Sequence, residues 1–192
     1  MFLGFCAKRS LTAPFGRRAR EIASVSECLS KRASGWVKQW DFNRATCWNT
    51  EAQAWSLVPD ELKGAFRVFA YRALPQLFGK TGIATPVTLD ELFPRDLPDL
   101  PPEPALFFYS GIGYDIVERN PAMGSLGFGC SPLSCNGMAE SQPVNDFCLL
   151  DDLETALAAA RRFGIEQPEP GPYLVIEVLA QRASHGQSTA SS

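Results

Sequence analysis

Residues 92–104 read LFPRDLPDLPPEP, and this run limits what the chain can fold into more than any other stretch. Pro94, Pro98, Pro101, Pro102 and Pro104 fix φ and offer no backbone N–H, so neither a helix nor a central strand can pass through them. The segment is expected to run extended over the surface. The halves on either side are each small for an independent core, which predicts one domain built from both, with 92–104 as connector. Acidic residues interrupt the proline pattern, and this argues against reading the connector as a proline-rich docking ligand.

The flanking segments supply the elements. Asn49-Thr50-Glu51 cap a short helix that stops before Pro59. Residues 65–78 (AFRVFAYRALPQLF) fit both an alternating strand and a helical stripe; their aromatic and branched content and Pro75 favour the strand. Residues 106–117 (LFFYSGIGYDIV) read as a strand in which Gly111 and Gly113 permit a bend or bulge. A Gly/Pro/Ser loop follows over 120–137, and residues 147–150 are a short apolar strand end. Asp151-Asp152-Leu153-Glu154 then offers an N-cap with a carboxylate three positions on. Leu153, Ala156, Leu157 and Ala160 share a helical face, Arg161 and Arg162 suit the C-terminal dipole, and Gly164 reads as the stop. Pro170-Gly171-Pro172 turns the chain into residues 173–179 (YLVIEVL), a nearly continuous apolar run predicted to be a central strand. The expected fold class is α+β: a single two-layer α/β domain with a small mixed or antiparallel sheet and few helices.

Charge divides the chain. Residues 1–32 hold seven basic and two acidic side chains, a net +5, so a total of −3 leaves −8 for the remainder. Trp36, Trp40, Phe42, Trp48 and Trp55 are too apolar to leave wet, so the ordered domain is expected over 34–182. A basic, poorly ordered leader over 1–33 precedes it, and a disordered tail over 183–192 follows. The leader reads as an over-extended start, as an Arg- and Ser-rich targeting peptide, or as an arm for nucleic acid or anionic lipid. Residues 1–7 (MFLGFCA) are too short for a secretory h-region and have no charged residue before them. No run of about 18 apolar residues occurs, so no transmembrane helix and no membrane partner are expected. The six cysteines lack the density of a secreted disulfide scaffold, and a reducing cytoplasm with free thiols is the expected setting.

The single histidine, His185, lies in the tail, out of reach of any packed nucleophile. Ser-His-Asp and Cys-His hydrolysis, zincin motifs and histidine-rich metal sites are therefore excluded. Chemical content concentrates in residues 127–148 (GFGCSPLSCNGMAESQPVNDFC). Cys130, Cys135 and Cys148 are candidate metal ligands, with zinc as the candidate ion and Asp115, Asp146 or Cys47 as the missing fourth ligand. Cys135, followed by the turn dipeptide Asn136-Gly137, is the candidate reactive thiol, to be activated by Arg119, a helix N-terminus or backbone donors. The competing reading takes these cysteines as small buried hydrophobes. Gly124-Ser125-Leu126-Gly127-Phe128-Gly129 is like a phosphate loop only in glycine content. Asp115 fits an acid/base or a turn residue, and Glu177 an outward-facing or a buried carboxylate.

Several of these stretches together carry a resemblance. Gly113-Tyr114-Asp115, Cys130-Ser131-Pro132-Leu133-Ser134-Cys135-Asn136, Val144-Asn145 and Pro170-Gly171-Pro172-Tyr173 resemble a set of bacterial proteins sharing the pattern GYD…CSPLSCN…PGPY. No activity, cofactor or structure attaches to that set, so the resemblance implies none; it does favour an over-extended start over organelle targeting. The overall plan is loosely similar to bacterial immunity-type proteins, which neutralise a toxin by binding it. The leading expectation is a cytoplasmic, non-catalytic protein-binding module. Tyr114, Asp115, Asn136 and Asn145 are its candidate binding surface, and its acidic body suits a basic partner. The alternative is a thiol- or metal-dependent enzyme or redox sensor centred on Cys130, Cys135 and Cys148.

Overall fold

In the computed structural model, which describes residues 1–9, 21–26, 50–56, 58–92, 106–119, 128–134 and 137–182, the apolar run near the C-terminus occupies the centre of a sheet. Strand β1 (Phe2–Arg9), helix α1 (Glu51–Ser56), strands β2 (Phe66–Phe78) and β3 (Ala84–Pro86), helix α2 (Leu89–Leu92), strand β4 (Tyr109–Glu118), helix α3 (Leu153–Glu166) and strand β5 (Tyr173–Gln181) follow in that order. The sheet runs β1-β2-β5-β4, with β3 paired to β2 outside this path, and every pairing is antiparallel. This is the expected α+β class.

Side-chain alternation along β5 sorts the core. Leu174, Ile176, Val178 and Ala180 join Leu3, Phe69, Tyr71, Val117, Phe128 and Leu149 on a face covered by irregular segments. Tyr173 and Val175 pack with Ile116, Leu133, Ala156, Ala160 and Phe163 beneath α3. Leu179 packs with Phe2, Phe5, Val68, Ala70, Tyr109 and Ala54 beneath α1. Each such aliphatic side chain is worth about 1.5–3 kcal/mol when fully buried, which explains why a run apolar on both faces takes the central place.

Local signals act as their chemistry dictates. Gln53 N–H donates to Thr50 Oγ1 at 3.1 Å while Thr50 N–H donates to Gln53 Oε1 at 3.0 Å, a reciprocal cap that starts α1. Residues 65–78 resolve as strand, with the register to β5 slipping between Ala73 and Leu77 around Pro75. Thr155 N–H donates to Asp152 Oδ1 at 2.8 Å, so Asp152 is the N-cap of α3.

Two expectations need correction. Gly164 does not stop α3; the helix continues to Glu166 and ends where Gln167 takes a left-handed φ of 50°. A Cβ at Gly164 would lie 2.5 Å from the Gly79 carbonyl oxygen, so the glycine lets the helix approach the β2–β3 connection. The second correction concerns the N-terminus: residues 2–9 form β1 and residues 21–26 are buried, so the folded domain includes parts of the expected leader. That expectation averaged charge over 32 residues, whereas Phe2, Leu3, Phe5, Cys6 and Ala7 concentrate apolar area in the first nine. Residues 10–20 and 27–49, the proline-rich stretch beyond Leu92, and the tail over 183–192 lie outside the described residues. Among the described residues no helix is long and apolar enough to cross a membrane.

Replacing Gly164 with alanine is expected to destabilise the domain by roughly 1–3 kcal/mol through overpacking, despite alanine's higher helix propensity. Asp152→Ala should cost about 1 kcal/mol through the lost cap. Urea midpoints of both variants against the parent test this; a Gly164→Ala variant more stable than the parent would exclude the close helix approach.

Candidate functional site

Strand β4 carries the predicted residues Tyr114 and Asp115, and its outer edge is met by two loops, at Leu150 and at Phe128. Gly113 takes φ 142° at a register slip between Gly111 and Gly113, and a Cβ there would meet Leu150 O at 2.7 Å. The bend admits Leu150, which exchanges backbone hydrogen bonds with Tyr114 at 2.7 and 2.9 Å. Four residues on, Glu118 N–H donates to Cys130 O and Gly129 N–H donates to Glu118 O, both at 2.9 Å. The strand thus alternates its side chains between a helix-covered face, with Tyr114 and Glu118, and a loop-covered face, with Asp115.

Asp115 has no exposed surface. Ser24 Oγ donates to its Oδ2 at 2.5 Å, while Ser131 Oγ and Ile116 N–H donate to Oδ1 at 2.7 and 2.9 Å. Ser24 Oγ in turn accepts from Ser26 N–H at 3.0 Å, and Ser26 Oγ donates to Gly129 O at 2.7 Å. Burial pushes the Asp115 carboxyl above the ordinary carboxylate range, and the donors from Ser24, Ser131, Ile116 and Val25 oppose that rise. Its role is to tie residues 24–26 and 129–133 to the sheet. This takes it out of the predicted binding surface, because nothing outside the protein can reach it.

Asn145 is likewise committed inward. Its Nδ2 donates to Ile112 O at 2.9 Å and to Asp151 Oδ1 at 3.0 Å, and its Oδ1 accepts from Phe147 and Leu149 N–H at 2.9 and 3.2 Å. All four hydrogen-bonding positions of the amide are used, so Asn145 shapes the loop. Tyr114 remains half-exposed and lies in a row with Glu177 and Arg72 across β4, β5 and β2. Arg72 Nε approaches Glu177 Oε2 at 3.1 Å, which resolves Glu177 as a partly exposed, paired carboxylate. Burial raises the Tyr114 phenol pKa, and the charge of Glu177 adds to the rise.

Of the three clustered cysteines, Cys130 and Cys148 are among the described residues. Cys148 is fully buried, with φ 58°, in the turn held by Asn145. Cys130 is half-buried, and its thiol converges with the carboxylates of Glu118 and Glu169; Cys148 is not a member of that group. Cys135 and Asn136 lie outside the described residues. Sequence reasoning missed Ser24, Glu118, Arg72 and Glu169. Glu118 alone had a usable signal, since it follows Tyr114 and Ile116 in the two-residue alternation of β4.

Comparison with protein-family models, with curated proteins and with solved structures returns no match for this chain.

The raised pKa of Asp115 means that the folded state holds this proton more tightly than the unfolded chain. Its stabilising contribution is therefore complete below about pH 3.9 and declines as pH rises through the folded-state value. Urea unfolding of the parent and of Asp115→Asn between about pH 4 and pH 8 should show the parent losing ground to the variant as pH rises. A pH-independent difference would mean that Asp115 does not change protonation in that range.

Proposed function

We propose that the chain is a cytoplasmic, non-catalytic protein-binding module that docks a basic protein surface on the acidic rim formed by residues 140–154. The observation that carries this reading is the charge of that rim. Glu140, Asp146, Asp151, Asp152 and Glu154 are all exposed, and the stretch contains no lysine or arginine. Arg162 reaches it from α3, where its Nη2 donates to Gln142 Oε1 at 2.7 Å.

Rigidity supports the same reading. The Asn145 amide locks the loop, and Asp152 is held as the N-cap of α3, accepting from Thr155 N–H at 2.8 Å and Thr155 Oγ1 at 2.7 Å. An ordered rim loses little conformational entropy on association. Half-exposed Tyr114 lies close enough to Asp152 to feel its charge and offers an aromatic anchor beside the carboxylates. A field of one sign on such a surface steers an oppositely charged partner and fixes its orientation. Neutralisation of a basic toxin, as in immunity-type proteins, is one form that this role takes.

The test is capture from an extract of the source cells on the immobilised full chain, followed by binding kinetics with the recovered protein. A stoichiometric basic partner is expected, with association slowing roughly tenfold or more as salt rises to physiological strength. Reversing Asp146 and Glu154 to lysine should weaken binding by about tenfold or more, because both are exposed and neither caps α3. Recovery of no stoichiometric protein, or binding indifferent to salt and to both reversals, would overturn the proposal.

A further inference from the structure

We propose that Glu118, Cys130 and Glu169 form a binding site for a divalent cation of the zinc class. The three residues come from separate parts of the chain: the end of β4, the loop over 128–134, and the turn before β5. Their ligand atoms nevertheless all lie within 4.8 Å of one another. A tetrahedral cation with Zn–S near 2.3 Å and Zn–O near 2.1 Å needs ligand atoms separated by about 3.3–3.8 Å. Closing the site therefore takes about 1.5 Å at most, within the range of side-chain adjustment.

Each ligand is positioned by its surroundings. Glu118 is only 3% exposed, and Cys130 N–H donates to its Oε2 at 3.3 Å, which turns the carboxylate back toward the thiol. Gly129 makes that return possible, because a Cβ at this position would overlap Glu118 Oε2. The turn bearing Glu169 is clasped by Tyr173, whose hydroxyl donates to Glu169 O at 2.5 Å and accepts from Glu169 N–H at 2.9 Å.

The donor set selects the cation. One thiolate and two carboxylates suit borderline zinc, whereas calcium needs six to eight oxygens and magnesium an octahedron of oxygen. Three protein ligands leave a fourth position for water or a bound group. Glu118 is buried while Cys130 and Glu169 are half-buried, so solvent reaches the site from their side. On binding, the Cys130 S–H bond breaks, the thiolate sulfur bonds the metal and the proton passes to buffer, so affinity should rise with pH. The site shares no residue with the acidic rim and stands or falls separately from it.

Cobalt(II) and zinc added in turn to the full-length protein test the assignment. Cobalt should bind one per chain and give a near-ultraviolet thiolate-to-metal charge-transfer band that zinc abolishes. The band should disappear in Cys130→Ser, and Glu118→Gln and Glu169→Gln should each weaken zinc binding by at least about tenfold. Exposed Glu61→Gln should bind zinc as the parent does. Circular dichroism reports whether each variant is folded, and Glu169→Gln, in a half-buried turn, keeps the test decisive if a change at Glu118 unfolds the chain. Absence of a charge-transfer band in the parent would overturn the proposal. So would a band that survives Cys130→Ser, one that follows Cys148→Ser instead, or zinc affinity unchanged in folded Glu169→Gln.

Discussion

Asp115 lies on the loop-covered face of the sheet, where its two carboxylate oxygens take hydrogens from Ser24 and Ser131. That arrangement joins segments more than ninety residues apart, with 91 positions separating Ser24 from Asp115 alone. A buried carboxylate is tolerated only when donors surround it, and among the described residues the donors here are hydroxyls and backbone N–H groups. Residues 21–26 have no regular secondary structure of their own. Their place over the sheet comes from this carboxylate, from Ser26 Oγ on Gly129 O, and from Tyr71 OH on Ala23 O. Removing the carboxylate would leave two buried hydroxyls to satisfy, each at a cost of about 1–3 kcal/mol.

The same knot orders both proposed sites. Ser131 belongs to the loop that carries Cys130, and that loop pairs with Glu118 through Gly129 and Cys130. In the middle of β4, the Gly113 bend admits Leu150, and the loop containing the acidic rim leads from there into α3. Strand β4 therefore acts as the rail on which a proposed cation site and a proposed docking surface are mounted at separate points. Loops placed on a rigid element suit binding, because the backbone has already been ordered by folding.

Much of the architecture was legible in the residues themselves. Tyr173-Leu174-Val175-Ile176 is apolar on both faces, a pattern that only a central strand can bury, and β5 is central. An acidic N-cap for α3 was legible as well, although a carboxylate three positions on pointed to Asp151 with Glu154, whereas Asp152 accepts from Thr155 N–H. Gly113 permits the bend in β4 since only glycine takes its φ without strain. At residues 2–9 local apolar content was outweighed by the basic charge around it, and β1 became visible only through its pairing with β2. Gly164 offered the usual meaning of a glycine near a helix end, but its role is set by the carbonyl of Gly79, a residue 85 positions away in sequence.

The division follows the range of the interactions involved. The sequence alone determined the α+β class, the capped helices and the place of the central strand, since alternation, capping and proline restriction act within a few residues; that every strand pairing is antiparallel came from the tertiary structure. Tertiary structure decided that Asp115 and Asn145 are internal fasteners, that Cys148 is buried in the turn held by Asn145, and that Cys130 meets Glu118 and Glu169. Those outcomes depend on which loop lies against which strand. Spacing within a loop carries no information about partners 12, 33 or 91 residues away.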